Sequence, residues 1–176
     1  MKTFQQGFTA LDLLVSMAIV AILLSAGIPA FKNYSWNLRI KTAMDNLQTD
    51  LNLARRSAIN LNVQTVTCPA DNADTCSSRP DWKNGWIVFA DLNADRQRQT
   101  GEPLLKQSGA IEFININSSK SRPGVRFYPN GSAPGSNMTV RFCDDRGAQF
   151  GGKISVSASG RIKLQSGGIK SFVNCP

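Results

Sequence analysis

Arg161 and Lys163 stand one residue apart in the run KISVSASGRIKL at residues 153–164. In an extended strand this spacing sends both side chains to one face and Ile162 and Leu164 to the other, which makes a paired cationic edge. Lys120, Arg122, Arg126, Arg141, Arg146, Lys153 and Lys170 crowd the same half of the chain. Residues 106–176 hold 10 Lys and Arg against 3 Asp and Glu, whereas residues 1–105 hold 10 against 9. The formal charge of +8 is therefore mostly a property of the C-terminal part. The chemistry such a surface suits is sequence-independent contact with phosphates, with an affinity that falls as salt rises. The bland alternative is a set of scattered solvated charges, with Gly160 simply turning the strand.

The other candidate constellations are weaker. Asp91, Asn93, Asp95 and Glu102 occupy the first, third, fifth and twelfth places of a calcium-loop spacing, but Arg96 fills the sixth, where a glycine makes the sharp turn. An arginine there opposes both the turn and a dication, so a polar hairpin loop is expected, with Asp91 and Asn93 capping its backbone. Asp144-Asp145 is the only adjacent carboxylate pair. The chain has no histidine, which removes Ser-His-Asp and Cys-His catalysis and His-ligated zinc. The expectation is a protein that is not an enzyme, with no cofactor, no metal and no small-molecule substrate. Trp82, Trp86, Phe89, Phe113, Phe127 and Phe142 would suit a stacking platform, but their period-2 placement in strands makes most of them core.

Cys68, Cys76, Cys143 and Cys175 show no C-x-x-C spacing, so disulfides outside the reducing cytosol are favoured over a metal knuckle. Three pairings are open.

These residues must be positioned by the elements around them. Residues 8–28 read FTALDLLVSMAIVAILLSAGI, and their only charge is Asp12. At ~1.5 Å per residue this is about 30 Å of helix, the thickness of a bilayer core. A secretory signal places its small-residue cleavage site after the apolar run, whereas here Gly7 precedes it. Downstream, Leu47, Leu51, Ala54, Ala58 and Leu61 advance by helical steps, with Lys41, Asp45, Asp50 and Arg56 on the opposite face, so residues 31–61 continue the anchor helix. From Val63 onward the texture becomes short β-prone runs. They lie at 63–68, 86–91, 111–117, 125–132, 138–144 and 153–164, with loops at 68–82 and 117–124. Helix followed by strands implies an α+β fold with an antiparallel sheet.

Gly7, Phe8-Thr9, Asp12 and Pro29 together resemble the class III signal of type IV pilins and type II secretion pseudopilins. The stretches Trp82 to Asn93, Phe127-Tyr128-Pro129-Asn130-Gly131 and Ser159-Gly160-Arg161-Ile162-Lys163 look like the GspH/FimT/FimU group of minor pilins and pseudopilins. The resemblance implies a pilin fold, a long N-terminal α-helix packed on an antiparallel β-sheet domain. It divides the chain into a leader at 1–7, a transmembrane and filament-core helix at 8–30, an amphipathic continuation at 31–62 and a globular domain at 63–176.

It further implies cleavage by a prepilin peptidase after Gly7 and N-methylation of Phe8. Asp12, where the group normally has Glu, would meet the N-terminal amine of a neighbouring subunit, and Pro29 would kink the helix. The subunit would sit in a bacterial inner membrane with its C-terminal domain in the periplasm, then join other major and minor pilins in a pilus. FimT-type members carry a G-R-x-R motif that contributes to binding double-stranded DNA in natural transformation. This sequence has Gly160-Arg161-Ile162-Lys163, which keeps the charge but replaces the second guanidinium by an ammonium. Arg126, Arg141, Arg146, Lys153 and Lys170 would extend that site. Cys68 with Cys76 would close a small loop, and Cys143 with Cys175 would tie down the tail, as the C-terminal disulfide of many pilins does. The alternative is a GspH-type pseudopilin acting in protein export.

Overall fold

The computed structural model describes residues 9–72, 74–119 and 121–167. Gly7, Phe8, Lys120, Lys170 and Cys175 lie outside them.

Helix α1 runs from Ala10 to Leu61 with Pro29 inside it. Its most apolar 18-residue window has a mean hydropathy of 2.4, long and apolar enough to cross a membrane. Thr9 caps the helix start. Its hydroxyl donates to Asp12 Oδ2 at 2.8 Å and its backbone N–H to the same oxygen at 3.1 Å, while the Asp12 N–H donates back to Thr9 Oγ1. This reciprocal pattern is a capping box, with Asp in place of the usual Glu or Gln. The sequence signal for it is Thr-x-x-Asp.

The chain divides after Asn37, and the described residues from Leu38 onward form the globular unit. Within it the helix buries Ile40, Ala43, Met44, Leu47, Leu51, Ala54 and Ala58 on one stripe. At Ala54 the helix carbonyl accepts from Thr65 Oγ1 at 2.8 Å, and Gly152 makes room for Met44, whose Sδ would lie 2.2 Å from a β-carbon there. Two corrections to the helical pattern follow. Leu61 is 51% exposed because the helix ends at it, and Asp50 is buried on the core-facing side. Asp50 is tolerated there because Trp86 Nε1 and Ser108 Oγ donate to its Oδ2 at 2.8 and 2.7 Å.

Among the described residues the strands form two antiparallel sheets, a division the sequence did not show. In the first, β1 (Gln64–Asn72) pairs with β2 (Thr75–Cys76), with β3 (Trp86–Asp91) and with β6 (Val125–Phe127), and β3 carries β4 (Leu104–Ser108). The second has the order β5-β7-β8-β9, from β5 (Asn115–Asn117), β7 (Met138–Cys143), β8 (Gly152–Val156) and β9 (Ile162–Ser166). Both sheets send apolar side chains into one core with α1, including Trp86, Val88, Phe127, Val140, Phe142 and Ile154.

On the face of the first sheet turned from that core, Val66, Cys68, Ile87 and Phe89 make a second cluster. All six residues of β3 are therefore buried. The expected loop at 68–82 is shorter than proposed, since β1 continues to Asn72 and is bonded to β2 through a Cys68–Cys76 disulfide. The expected strand at 111–117 shrinks to Asn115–Asn117. Phe113 adopts a left-handed φ of 64°, leaves the ladder and is 63% exposed under the Arg39 guanidinium, so it is not core.

Candidate nucleic-acid interface

Strand alternation builds the outward face of the second sheet. Ile116, Val140, Phe142, Ile154 and Val156 are buried, with Ile162 and Leu164 packed against them. The intervening residues therefore project the other way. Register places Asn117 opposite Arg141, Arg141 opposite Lys153 and Lys153 opposite Gln165. The next row is Thr139, Ser155 and Lys163. Among the described residues three cations thus share one face across three strands, with hydroxyl and amide side chains between them. Arg141 and Lys153 are directly cross-strand, where like charges destabilise a sheet.

Arg161 reaches this face from the β8–β9 turn. The Ser157 N–H donates to the Arg161 carbonyl at 3.0 Å and the Gly160 N–H to the Ser157 carbonyl at 2.8 Å, closing the turn, with Gly160 at φ +76°. The Arg161 N–H is held by Ser157 Oγ at 3.2 Å. Arg161 and Lys163 are both exposed and line one open cleft of about 480 Å³ with Asn137, Thr139, Ser155 and Ser157. Thr139 and Ser155 hydroxyls stand 3.3 Å apart on its floor. Guanidinium, ammonium and hydroxyl donors without a lining carboxylate among the described residues suit phosphate oxygens.

Among the described residues, two of the cations expected from sequence, Arg126 and Arg146, are not on this face. Arg146 is paired with Asp144 at 2.7 Å and lies 4.6 Å over the Phe150 ring, so its charge is neutralised locally. Arg126 belongs to β6 in the first sheet, opposite Val66, with its guanidinium 4.8 Å over the Tyr128 ring. Asn117, Thr139 and Ser155 were missed by reading charge alone. Their signal was alternation with Ile116, Val140 and Ile154.

The calcium-like spacing forms a polar loop held by backbone caps. Asp91 Oδ2 accepts from Arg96 N, Asn93 Oδ1 from Asp95 N, and the two Glu102 oxygens from Leu92 N and Gln99 N. Burial pushes the Asp91 carboxyl above its usual range, and the nearby charges of Glu102 and Asp95 add to this against the hydrogen bonds from the loop. Cys143 is buried at the end of β7, while its expected partner Cys175 lies outside the described residues.

Residues 43–160 match the family model described as type II transport protein GspH. The chain belongs to the GspH family. It is thus one of the minor pilins and pseudopilins, structural proteins that assemble with other pilins, and its long apolar N-terminal helix accords with membrane anchoring. Its fold is that of the type IV minor pilin FimU of Pseudomonas aeruginosa PAO1. One crystal form gives a TM-score of 0.59 at 18% identity over 75% of this chain and 92% of FimU, and another 0.57 at 19% over 71% and 91%. The minor pseudopilin EpsH of the type 2 secretion system of Vibrio cholerae shares the fold, with a TM-score of 0.52 at 9% identity over 73% of this chain and 97% of EpsH. The matched GspH segment stops at Gly160, so Arg161 and Lys163 fall just beyond it.

Proposed function

We propose that this GspH-family chain is a minor pilin of a type IV pilus that helps prime pilus assembly and binds double-stranded DNA through the outward face of β7–β9. The observation that carries the DNA reading is the register of Arg141, Lys153 and Lys163 on one face, with Arg161 beside them in the same cleft as Lys163. An electropositive sheet face with hydroxyl donors contacts phosphates without reading base edges. Assembly would use cleavage after Gly7, methylation of Phe8, and Asp12 and Pro29 in the filament-core helix. A Cys143–Cys175 bond would fasten the chain end to β7 beside this face.

The second reading is a pseudopilin acting in protein export, favoured by the description of the matching family. Replacing Arg161 and Lys163 by Ala in the producing bacterium separates the two. On the first reading pili still form while DNA binding and uptake fall. Unchanged DNA uptake, with impaired protein export on deleting the whole chain, supports the second.

A further inference from the structure

A second cleft, of about 230 Å³, opens beside the Cys68–Cys76 disulfide, with Val66 and Cys68 of the second apolar cluster in its wall. Three arginines from separate stretches line it: Arg96 from the β3–β4 loop, Arg122 from the segment before β6, and Arg126 from β6. Among the described residues no carboxylate lines this cleft, and none of these three guanidinium groups is in a salt bridge.

The Arg122 and Arg126 side chains and the Arg96 backbone are held in place. The Arg96 N–H donates to Asp91 Oδ2 at 3.1 Å, which fixes where its side chain leaves the loop. Arg122 Nη1 donates to the Asn137 carbonyl at 2.9 Å. Arg126 rests on the Tyr128 ring, and its Nε is buried with no hydrogen-bond partner. A buried charged donor without an acceptor is costly, and bringing three like charges to one recess adds to the cost. An incoming anion relieves both.

We propose that this cleft binds one compact oxyanion, a phosphate or a carboxylate group, independently of the β7–β9 face. The guanidinium fork matches two oxygens of either group, and the nearly buried hydroxyl-bearing residues Ser77 and Ser136 line the same recess. The two sources of such a group are a free inorganic anion and an acidic side chain of a neighbouring polypeptide.

The full-length protein in detergent micelles, free of phosphate, is titrated calorimetrically at constant ionic strength with sodium phosphate and, separately, with acetyl-Glu-Glu-amide. Saturable one-site binding is expected for at least one probe. It weakens about tenfold in Arg126→Gln and in Arg96→Gln and is unchanged in the Arg161→Ala, Lys163→Ala double variant. Tighter binding of the dipeptide assigns the site to acidic polypeptide, and tighter binding of phosphate to a free anion. Arg96 is exposed, so its variant stays folded and keeps the test valid if Arg126→Gln melts. No saturation with either probe, or binding indifferent to Arg96 and Arg126, overturns the proposal.

Discussion

Gly160 backs onto Gly131, so closely that a β-carbon on Gly160 would lie 2.0 Å from the Gly131 carbonyl oxygen. That oxygen also accepts a 2.9 Å hydrogen bond from Arg55 Nε on α1. Two separate sequence signatures, Pro129-Asn130-Gly131 and Gly160-Arg161, are thus one structural unit pinned to the helix. The turn that presents Arg161 is set by this contact.

Gly160→Ala is therefore expected to lower stability by about 3 kcal/mol, from the clash plus the left-handed backbone. Gly135→Ala, at φ +68° with nothing within 4 Å of the new carbon, should cost only about 1 kcal/mol. Urea unfolding of the two variants checks the contrast. Equal losses would remove the contact from the account.

Asp50 joins helix to sheet through Trp86 Nε1 and Ser108 Oγ. Asp50→Ala leaves the buried indole N–H without its acceptor and should cost about 2–4 kcal/mol, with Asp50→Asn recovering part of it through the remaining carbonyl oxygen. Equilibrium unfolding followed by tryptophan fluorescence gives both numbers.

Asp91 predicts a pH signature. Its folded-state carboxyl holds its proton to a higher pH than in the unfolded chain, because burial disfavours the charge and Glu102 and Asp95 stand near. Ionised Asp91 thus destabilises the fold above its raised pKa. The penalty is relieved as pH falls through that value and is gone below the unfolded value of about 3.9. Asp91→Asn keeps an acceptor for the Arg96 N–H and loses the charge, so it should melt higher than wild type at pH 7. The gap should narrow as pH approaches 4, as read by thermal scans across pH.

Removing the Cys68–Cys76 bond by replacing both residues with Ala should cost about 2–3 kcal/mol, the value for a short closed loop. The same unfolding experiment on wild type with reductant should show a loss at least as large, since reductant opens the Cys68–Cys76 bond together with any other disulfide.

The helix and most of the second sheet were legible because their apolar spacing carries them. Leu47, Leu51, Ala54 and Ala58 recur at helical steps, and Val140, Phe142, Ile154 and Val156 alternate. What escaped was decided by partners distant in sequence. Asp50 reads as a surface charge until Trp86 is brought to it, 36 residues on. The strand Leu104–Ser108, with Lys106 and Gln107 exposed, is held by its bonds to β3 more than by burial. Phe113 reads as a strand residue, yet its left-handed backbone takes it out of the ladder. On the candidate interface, Arg161 and Lys163 stand out by their i, i+2 spacing, although the strand begins only at Ile162 and Arg161 belongs to the turn before it. The separation of Arg126 and Arg146 from them follows from having two sheets, which local periodicity does not encode.

The central claim, a phosphate-binding face on β7–β9, is tested most directly by titrating duplex DNA of unrelated sequences into the full-length protein over a range of salt. The Arg161→Ala, Lys163→Ala variant is run beside wild type. Each phosphate contact contributes about 0.9 to the slope of log affinity against log salt, so the variant should lose about 1.8 of slope and bind more weakly by a similar factor on every sequence. A variant with the wild-type slope, or a wild type that binds no DNA at about 50 mM salt, would contradict it.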